Sequence, residues 1–547
     1  MQWWKLFNDP ALDALVDQAL QHNRDLAAAA ARIDEARANL TITDAGRWPT
    51  VYGSANSTRT RITQRGATPL FPGVPVESGS NRITLAASYE TGFWGKYARA
   101  SEAARAELLR TEAARDVVRL LLFLLFAVTG RAVIEGYMAR QPESRFARRL
   151  GFLYEWLTNQ DIKATAALKA AYVPVVDENL QFGLANGPRN LKFRVTNNLP
   201  GNQKFCPLVR KTGYLRAMAG KNLRQRTLDT LARYDHDLLR RAAAFLYLKE
   251  THSSFEVERE KPSPERAQRF ADLLREAERG IPLSADRLAE LQNAVLDPRF
   301  HEYVYRSRQN WIGSDMGYRK KVDFVPARPD DVPTLMDGLI AFSETLRNHP
   351  QGMDAVIAAA ALAFGFVFIH PFMDGNGRLH RFLIHDALSA GGFTPKGIVL
   401  PVSAVILATQ KEYVDALENF SRPMRPRTSY NPEVPDAPAT GNDALYFRFF
   451  DATAQASFLY WALERTVEHD LVDEVAYLIG FDRAHTALRA VLDWPAHSLD
   501  LFIRLVQQNG GTLSKTKRES HFAWMTDEEV LRAEPEVARA FAPNAKA

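Results

Sequence analysis

The sequence predicts a mainly α protein. A helical core with a small β-hairpin flap is preceded by a helix–strand–strand–helix fragment and followed by a small C-terminal helical module. Three observations predict it. From Arg131 onward, apolar residues recur at spacings of three and four, the period of an amphipathic helix. Before that point, Val51–Arg61 and Arg82–Tyr89 alternate in polarity and are rich in Thr and Ser, as strands are. The apolar helical run Ala358–Ile369 then breaks into a polar stretch, His370–Arg381, before helical periodicity resumes.

At 547 residues the chain exceeds one ordinary core, so several domains are expected. Residues 1–120 form the first segment. Asn8-Asp9-Pro10 opens a helix with a capping residue and a proline in its first turn, and the alanine-rich Leu26–Leu40 continues it. The two strands follow, joined by a Gly/Pro-rich loop at Gly66–Ser80, and a second long helix covers Lys96–Leu120. Residues 121–263 read as an N-terminal helical region, with amphipathic runs at Glu143–Leu157 and Leu223–Leu248 and irregular chain over Ile162–Gly220. Residues 264–422 form the core, entered through helices at Pro264–Arg279 and Ser284–Leu296. A Pro-rich linker at 423–443 leads to a helical module, 444–547, whose last helix starts with the capping box Thr526-Asp527-Glu528-Glu529. The basic Leu513–Arg518 just before it reads as an exposed turn.

Composition narrows the function classes. Hydrophobic residues make up 46% and charged residues 24%, the proportions of a folded soluble chain. The net charge of +5 comes from Arg and Lys interleaved with Glu and Asp, so solvated helix faces are expected and no nucleic-acid partner is. The lone Cys206 excludes an intrachain disulfide and reads as a part-buried thiol. The longest apolar run, Leu120–Val128, falls well short of the roughly twenty residues that span a bilayer. With no secretory pattern at Met1–Trp4, a cytoplasmic location is expected.

Chemistry concentrates at His370-Pro371-Phe372-Met373-Asp374-Gly375-Asn376-Gly377-Arg378-Leu379-His380-Arg381. Gly375 and Gly377 let backbone N–H groups close on phosphate oxygens, and the following helix adds its positive N-terminal end. Arg378 and Arg381, three apart, project from one turn. Asp374 suits a hard cation such as Mg²⁺, and His370 suits a general base for an attacking hydroxyl. The ordinary alternative is a capped loop with two arginines paired to surface acids; the coincidence of all these groups at fixed spacing favours the chemical reading. His380 and His385 read as packing or surface residues.

This run resembles the Fic family signature at every fixed position, and the wider resemblance extends over about residues 131–541. It implies a protein adenylyltransferase. His370 would deprotonate the Ser, Thr or Tyr hydroxyl of a target protein, which attacks the α-phosphorus of ATP. Asp374 would bind Mg²⁺, while Gly375, Asn376 and Gly377 cradle the α- and β-phosphates. Asn376 would stabilise charge on the α-phosphate, and Arg378 and Arg381 would neutralise the outer ones. Gly377 stands where a phosphorylating branch carries Lys, which favours AMP transfer. Ser307–Pro329, with Asn310, Trp311, Ile312 and Gly313, resembles the family's target-binding flap, where a target adds as a strand. Tyr413 either walls the adenine pocket or packs in the core. Ser254 and Glu258 resemble the inhibitory helix, whose glutamate pairs with the loop's second arginine, here Arg381 in a bidentate fork. Arg259 departs from the usual Gly or Asn. The resemblance allows self-modification and a homodimer, and some relatives run the loop in reverse to remove AMP.

Residues 1–120 resemble the outer-membrane efflux channel family through Trp4–Pro10, Asn23–Leu26 and Gly92–Lys96. The family closes its barrel with two such repeats, and the resemblance covers one. A docking or oligomerising remnant is therefore expected in place of membrane association, with a membrane efflux component as the alternative.

Overall fold

The computed structural model describes residues 38–43, 50–62 and 75–88, single positions at 35, 45 and 73, and 131–542 apart from 164–168, 318–319, 351, 395–396 and 435. The expected helix at Lys96–Leu120 and the cap at Asn8–Pro10 lie outside these residues, as does Leu26–Leu40 except for helical Glu35 and its helical end at 38–40. The chain divides into two units, 1–126 and 127–547.

In the first unit, β1 (Thr50–Arg61) pairs antiparallel with β2 (Glu77–Ser88), in register from Thr50 opposite Ser88 to Arg61 opposite Glu77. The second strand therefore starts five residues before the expected Arg82 and takes in the end of the expected loop. The register explains the extension: Arg59 reaches Glu77 at 2.9 Å and Ser57 donates to Asn81 at 2.7 Å across the ladder.

The second unit is mainly helical. Helices α1 (Arg131–Arg140) and α2 (Arg145–Thr158) lead into a region of two-residue strands: β3 (Val173–Pro174), β4 (Gln181–Phe182), β5 (Arg189–Asn190), β6 (Val195–Thr196) and β7 (Val209–Arg210). This part of the expected irregular segment is organised by buried Asn198, whose side-chain amide binds the Val176 N–H at 2.9 Å and its carbonyl at 3.0 Å. Helix α3 (Gly213–Gly220) follows. The expected single helix from Leu223 is two, α4 (Leu223–Leu231) and α5 (His236–Val257). The break falls where the Asp235 side chain accepts from the Leu238 N–H at 2.9 Å and caps a new helix. Helix α6 (Pro264–Glu276) and a short 3₁₀ turn precede α7 (Ala285–Val295), and serines at 263 and 284 cap the two helices.

Next come the hairpin strands β8 (Ile312–Asp315) and β9 (Lys320–Phe324), then α8 (Val332–Asn348), α9 (Ala355–Ile369) and α10 (Asn376–Ala390). Every residue of α9 from Val356 to Ile369 is buried, as an all-apolar helix requires. Helix α11 (Val402–Ala408) and α12 (Gln410–Met424) follow, with Pro423 inside the last turn of α12. The expected linker is therefore partly helical. Its remainder folds back: Arg425 reaches the Asp323 carbonyl at 2.9 Å, and Ser429 pairs with Thr440.

One hydrophobic core runs from Phe205 to Val475 and so crosses both ends of the expected 264–422 core. Helices α13 (Ala444–Arg448) and α14 (Thr453–Arg465) belong to it. A π-turn at Thr466–Asp470 joins α14 to α15 (Leu471–Val491). The separate C-terminal core, Ala484 to Ala540, is built by the end of α15 with α16 (Ala496–Gln508), α17 (Lys515–His521) and α18 (Asp527–Ala540). The expected basic turn at 513–518 is largely α17, capped by Ser514, while the capping box at Thr526 and Glu529 is present. Among the described residues no helix is long and apolar enough to cross a membrane.

Candidate active site

The polar stretch hangs between buried α9 and α10. Helix α9 ends at His370, whose backbone is left-handed (φ 56°, ψ 63°) and whose N–H reaches the Phe366 carbonyl at 2.9 Å. Glycine is the usual occupant of such a position, and a side chain held there marks local strain. The strain has a use. It turns the chain sharply, and the His370 Nδ1 lies 3.2 Å from the Val367 carbonyl. A carbonyl can only accept, so Nδ1 carries the proton and Nε2 keeps the lone pair a base needs. Burial pushes the His370 pKa down to about 4, and the nearby Arg306 charge adds to the effect. The imidazole is thus neutral at pH 7.

Phe372 anchors the loop, fully buried beside the Tyr305 ring. Its N–H and carbonyl are clasped by the Asn376 side-chain amide at 3.1 and 2.8 Å, and Asn310 donates to the same carbonyl at 3.1 Å. The Asn376 side chain thus turns inward and holds the loop's shape. Asn310 is buried beneath the loop with its side chain on the same peptide. In both cases the buried peptide of Phe372 needs partners.

Gly375 is left-handed (φ 82°), and α10 begins at the next residue with no side chain capping its N-terminus. The orphan N–H groups of that end are available to an anion. Asp374, more than half exposed, accepts from the Gly375 N–H at 2.5 Å and from Arg378 Nη2 at 3.3 Å. No group of three or more His, Cys, Asp or Glu that could hold a metal occurs among the described residues. One exposed carboxylate beside an anion site nevertheless fits Mg²⁺, which takes one or two carboxylates and completes its shell with phosphate oxygens and water.

Both arginines are buried, at 1% exposure each. Arg378 Nη1 binds Glu260 at 3.0 Å and the Val295 carbonyl at 3.2 Å, so Arg378 ties the loop to the chain just past α5. Arg381 receives Ser254 and Glu258 as expected, though not as a bidentate fork. Its Nε donates to Ser254 Oγ at 2.8 Å, and its Nη2 is shared between the Ser254 carbonyl at 2.7 Å and Glu258 Oε1 at 2.9 Å. A Cβ at position 377 would lie 2.1 Å from Glu258 Oε1, so the carboxylate occupies the space over the first turn of α10. Burial raises the Glu258 pKa, but the Arg381 charge and hydrogen bond outweigh it and the net shift is downward. Arg259 is left-handed (φ 58°), which explains why Gly or Asn would suit that position.

The flap's β8 is exposed along its length, with Ile312 at 39%. Gly313 lies at a bulge where a Cβ would meet the Lys321 carbonyl at 1.9 Å. Trp311 is half-buried. Tyr413 packs against Phe364 and Phe458 with its hydroxyl toward Arg381, and burial pushes its pKa up to about 12. His380 is buried with Nδ1 2.8 Å from the Ala363 carbonyl, while His385 meets buried Glu250 at 2.8 Å. Cys206 is buried, and that raises its pKa to about 12.

Three residues at the site were missed in the sequence. Glu302 accepts from the Met373 N–H at 2.9 Å, and burial raises its pKa. Glu260 holds Arg378. Arg306 donates to the His370 carbonyl at 2.7 Å. Only Glu260, in the charged run next to Glu258, gave a sequence signal.

Comparison with known proteins agrees with the two-part reading. Residues 282–388 match the Fic/DOC family, and residues 15–129 match the outer membrane efflux protein family. Over 120 residues the chain is 37% identical to the probable outer membrane lipoprotein SilC of Salmonella typhimurium, covering 22% of this chain and 24% of that protein. The chain thus spans about a quarter of the length of that curated relative. A Fic domain containing signaling protein from Bacteroides thetaiotaomicron aligns at 19% identity and a TM-score of 0.35, covering 48% of this chain and 96% of that one. A Fic family protein from Desulfovibrio desulfuricans aligns at the same identity and TM-score, covering 56% and 87%. The chain therefore carries a Fic/DOC domain, which points to transferase chemistry of a general kind, and an N-terminal efflux-protein segment.

Proposed function

We propose that the Fic/DOC domain is a protein adenylyltransferase that moves AMP from ATP to a Ser, Thr or Tyr hydroxyl of a protein target, with itself as one candidate target. One observation carries the reading. A neutral imidazole with its lone pair on Nε2 adjoins an uncapped helix N-terminus and the buried Arg378 and Arg381. That set supplies a base for a hydroxyl and a cradle for a polyphosphate.

His370 Nε2 takes the hydroxyl proton as the oxygen attacks the α-phosphorus. The bond from that phosphorus to the oxygen bridging to the β-phosphate breaks, and pyrophosphate leaves. The N–H groups of Asn376 and Gly377 and the charge of Arg381 offset the negative charge on the phosphates. Asp374 would hold Mg²⁺, which when bound neutralises phosphate charge. The exposed edge of β8 receives the target as an added strand. Glu258 restrains the reaction, because its carboxylate stands over Gly377 and on Arg381, where phosphate oxygens would bind.

Labelled ATP with Mg²⁺ tests this: the Glu258→Gly protein should label hydroxyl side chains more strongly than the parent. A folded Glu258→Gly protein that binds ATP and transfers nothing would overturn it. The efflux-family match at 15–129 favours a second reading, in which that segment brings the catalytic unit to a membrane-associated assembly. Trimers that need detergent for solubility would support it, and a soluble monomer or dimer would exclude it.

A further inference from the structure

Arg306 lies outside every motif the sequence singles out, yet it is only 4% exposed. Its guanidinium serves three stretches of backbone at once. Nε donates to the His370 carbonyl at 2.7 Å, Nη1 to the Arg308 carbonyl at 3.0 Å, and Nη2 to the carbonyls of Ala327 and, at 3.4 Å, Ile369. Its own N–H reaches the Pro371 carbonyl at 2.9 Å. Arg308 and Ala327 flank the hairpin on its two sides, and Ile369 and His370 end α9.

Burying a guanidinium is costly unless its donors are satisfied. Here the acceptors are all carbonyls, two of them at a helix C-terminus where the partial charge is negative. A planar fork of five donors can span three segments, whereas an ammonium cannot. A side chain needed only to fill the space would be apolar.

We propose that Arg306 is a positioning residue that ties the left-handed peptide of His370 to both feet of the β8–β9 flap, so that the strand receiving a target and the base that deprotonates it move as one body. The proposal rests on the adenylyl-transfer reading for its kinetic consequence, though not for its mechanical one. Holding the His370 carbonyl fixes the peptide orientation and hence the direction in which the ring leaves the backbone. Seating a target on β8 then also sets the imidazole.

The test uses the full chain carrying Glu258→Gly, with Arg306→Met and Arg306→Lys added separately. Transfer from labelled ATP should lose kcat on the order of a hundredfold in Arg306→Met, the cost of a misplaced base, with the KM for ATP held. Arg306→Lys should recover part of the loss. Hydrogen exchange, read without turnover, should show residues 312–324 and 370–377 losing protection together in both variants. Unchanged kcat in Arg306→Met overturns the proposal, as does faster exchange in one segment alone or a KM that worsens in step with kcat. If Arg306→Met fails to fold, exchange in Arg306→Lys decides. A Glu258→Gly parent that transfers nothing counts against adenylyl transfer, and the exchange result then still decides the coupling.

Discussion

Glu258 and Arg381, 123 residues apart in the chain, meet at 2.9 Å, and the same carboxylate oxygen lies 2.1 Å from where a Cβ at position 377 would stand. Gly377 is therefore tied to Glu258 as well as to any phosphate. An alanine in the first turn of a helix ordinarily gains stability over glycine. Here Gly377→Ala should instead cost about 1–3 kcal/mol, the penalty for forcing atoms into filled space. In the Glu258→Gly background that cost should vanish. Urea unfolding of the four proteins of this double-mutant cycle measures the coupling. An equal cost in both backgrounds would place the carboxylate elsewhere.

Arg259 holds a left-handed backbone next to that carboxylate. A residue with a Cβ in that region costs about 1–2 kcal/mol, and glycine gives back about 0.5–1 through its freer unfolded chain. Arg259→Gly should therefore stabilise the fold by about 0.5–1 kcal/mol. It should also steady Glu258 and lower basal labelling. Thermal unfolding and a labelling time course check the two outcomes, and a destabilised Arg259→Gly protein would contradict the backbone argument.

The catalytic loop was legible in the sequence because its chemistry is local: a histidine, an acid, two glycines and two arginines fall within one turn between helices. The Glu258–Arg381 contact is not local, and only the family resemblance pointed to it. The clasp of the Asn376 side chain on the loop was not legible because its partner is the peptide of Phe372, and a buried peptide leaves no trace in residue type. Arg306 was missed for the same reason, since its acceptors are carbonyls up to 64 residues away. The break before α5 was readable, since Asp235 is a capping residue, but apolar periodicity carried across it.

His370 sets the acid behaviour of the site. Burial holds its pKa at about 4 against an ordinary value near 6.5, so the imidazole stays a base across that interval. In the Glu258→Gly protein, kcat/KM for transfer should hold down to about pH 5 and fall toward pH 4. Stability follows with a definite sign. Between about 4 and 6.5 the unfolded chain binds more protons at this residue than the folded one, so stability declines as pH falls through that window. His380, held near 3 by burial, adds in the same direction. NMR titration of the His370 ring decides the matter, and a midpoint near 6.5 would remove the basis for both statements.

Glu250 carries the last prediction. It is fully buried on α5, eight residues before Glu258, and its carboxylate accepts from His385 Nε2 at 2.8 Å on α10, from the Ser403 N–H at 2.8 Å and from the Ser403 hydroxyl at the start of α11. One side chain thus fastens the helix bearing Glu258 to the helix bearing Arg381. Glu250→Leu strips a buried polar cluster of its acceptor and should cost about 3–5 kcal/mol. Glu250→Gln keeps the shape and one acceptor and should cost about 1–3 kcal/mol, the range for a buried group left unsatisfied. The milder variant remains folded, so it also tests function. With α5 loosened from α10, Glu258 spends less time on Arg381, and basal labelling should rise toward that of Glu258→Gly. Denaturant unfolding orders the two variants. If Glu250→Gln loses stability while basal labelling stays at the parent level, the contact of Glu258 with Arg381 is held from its own end of the helix and owes nothing to this cluster.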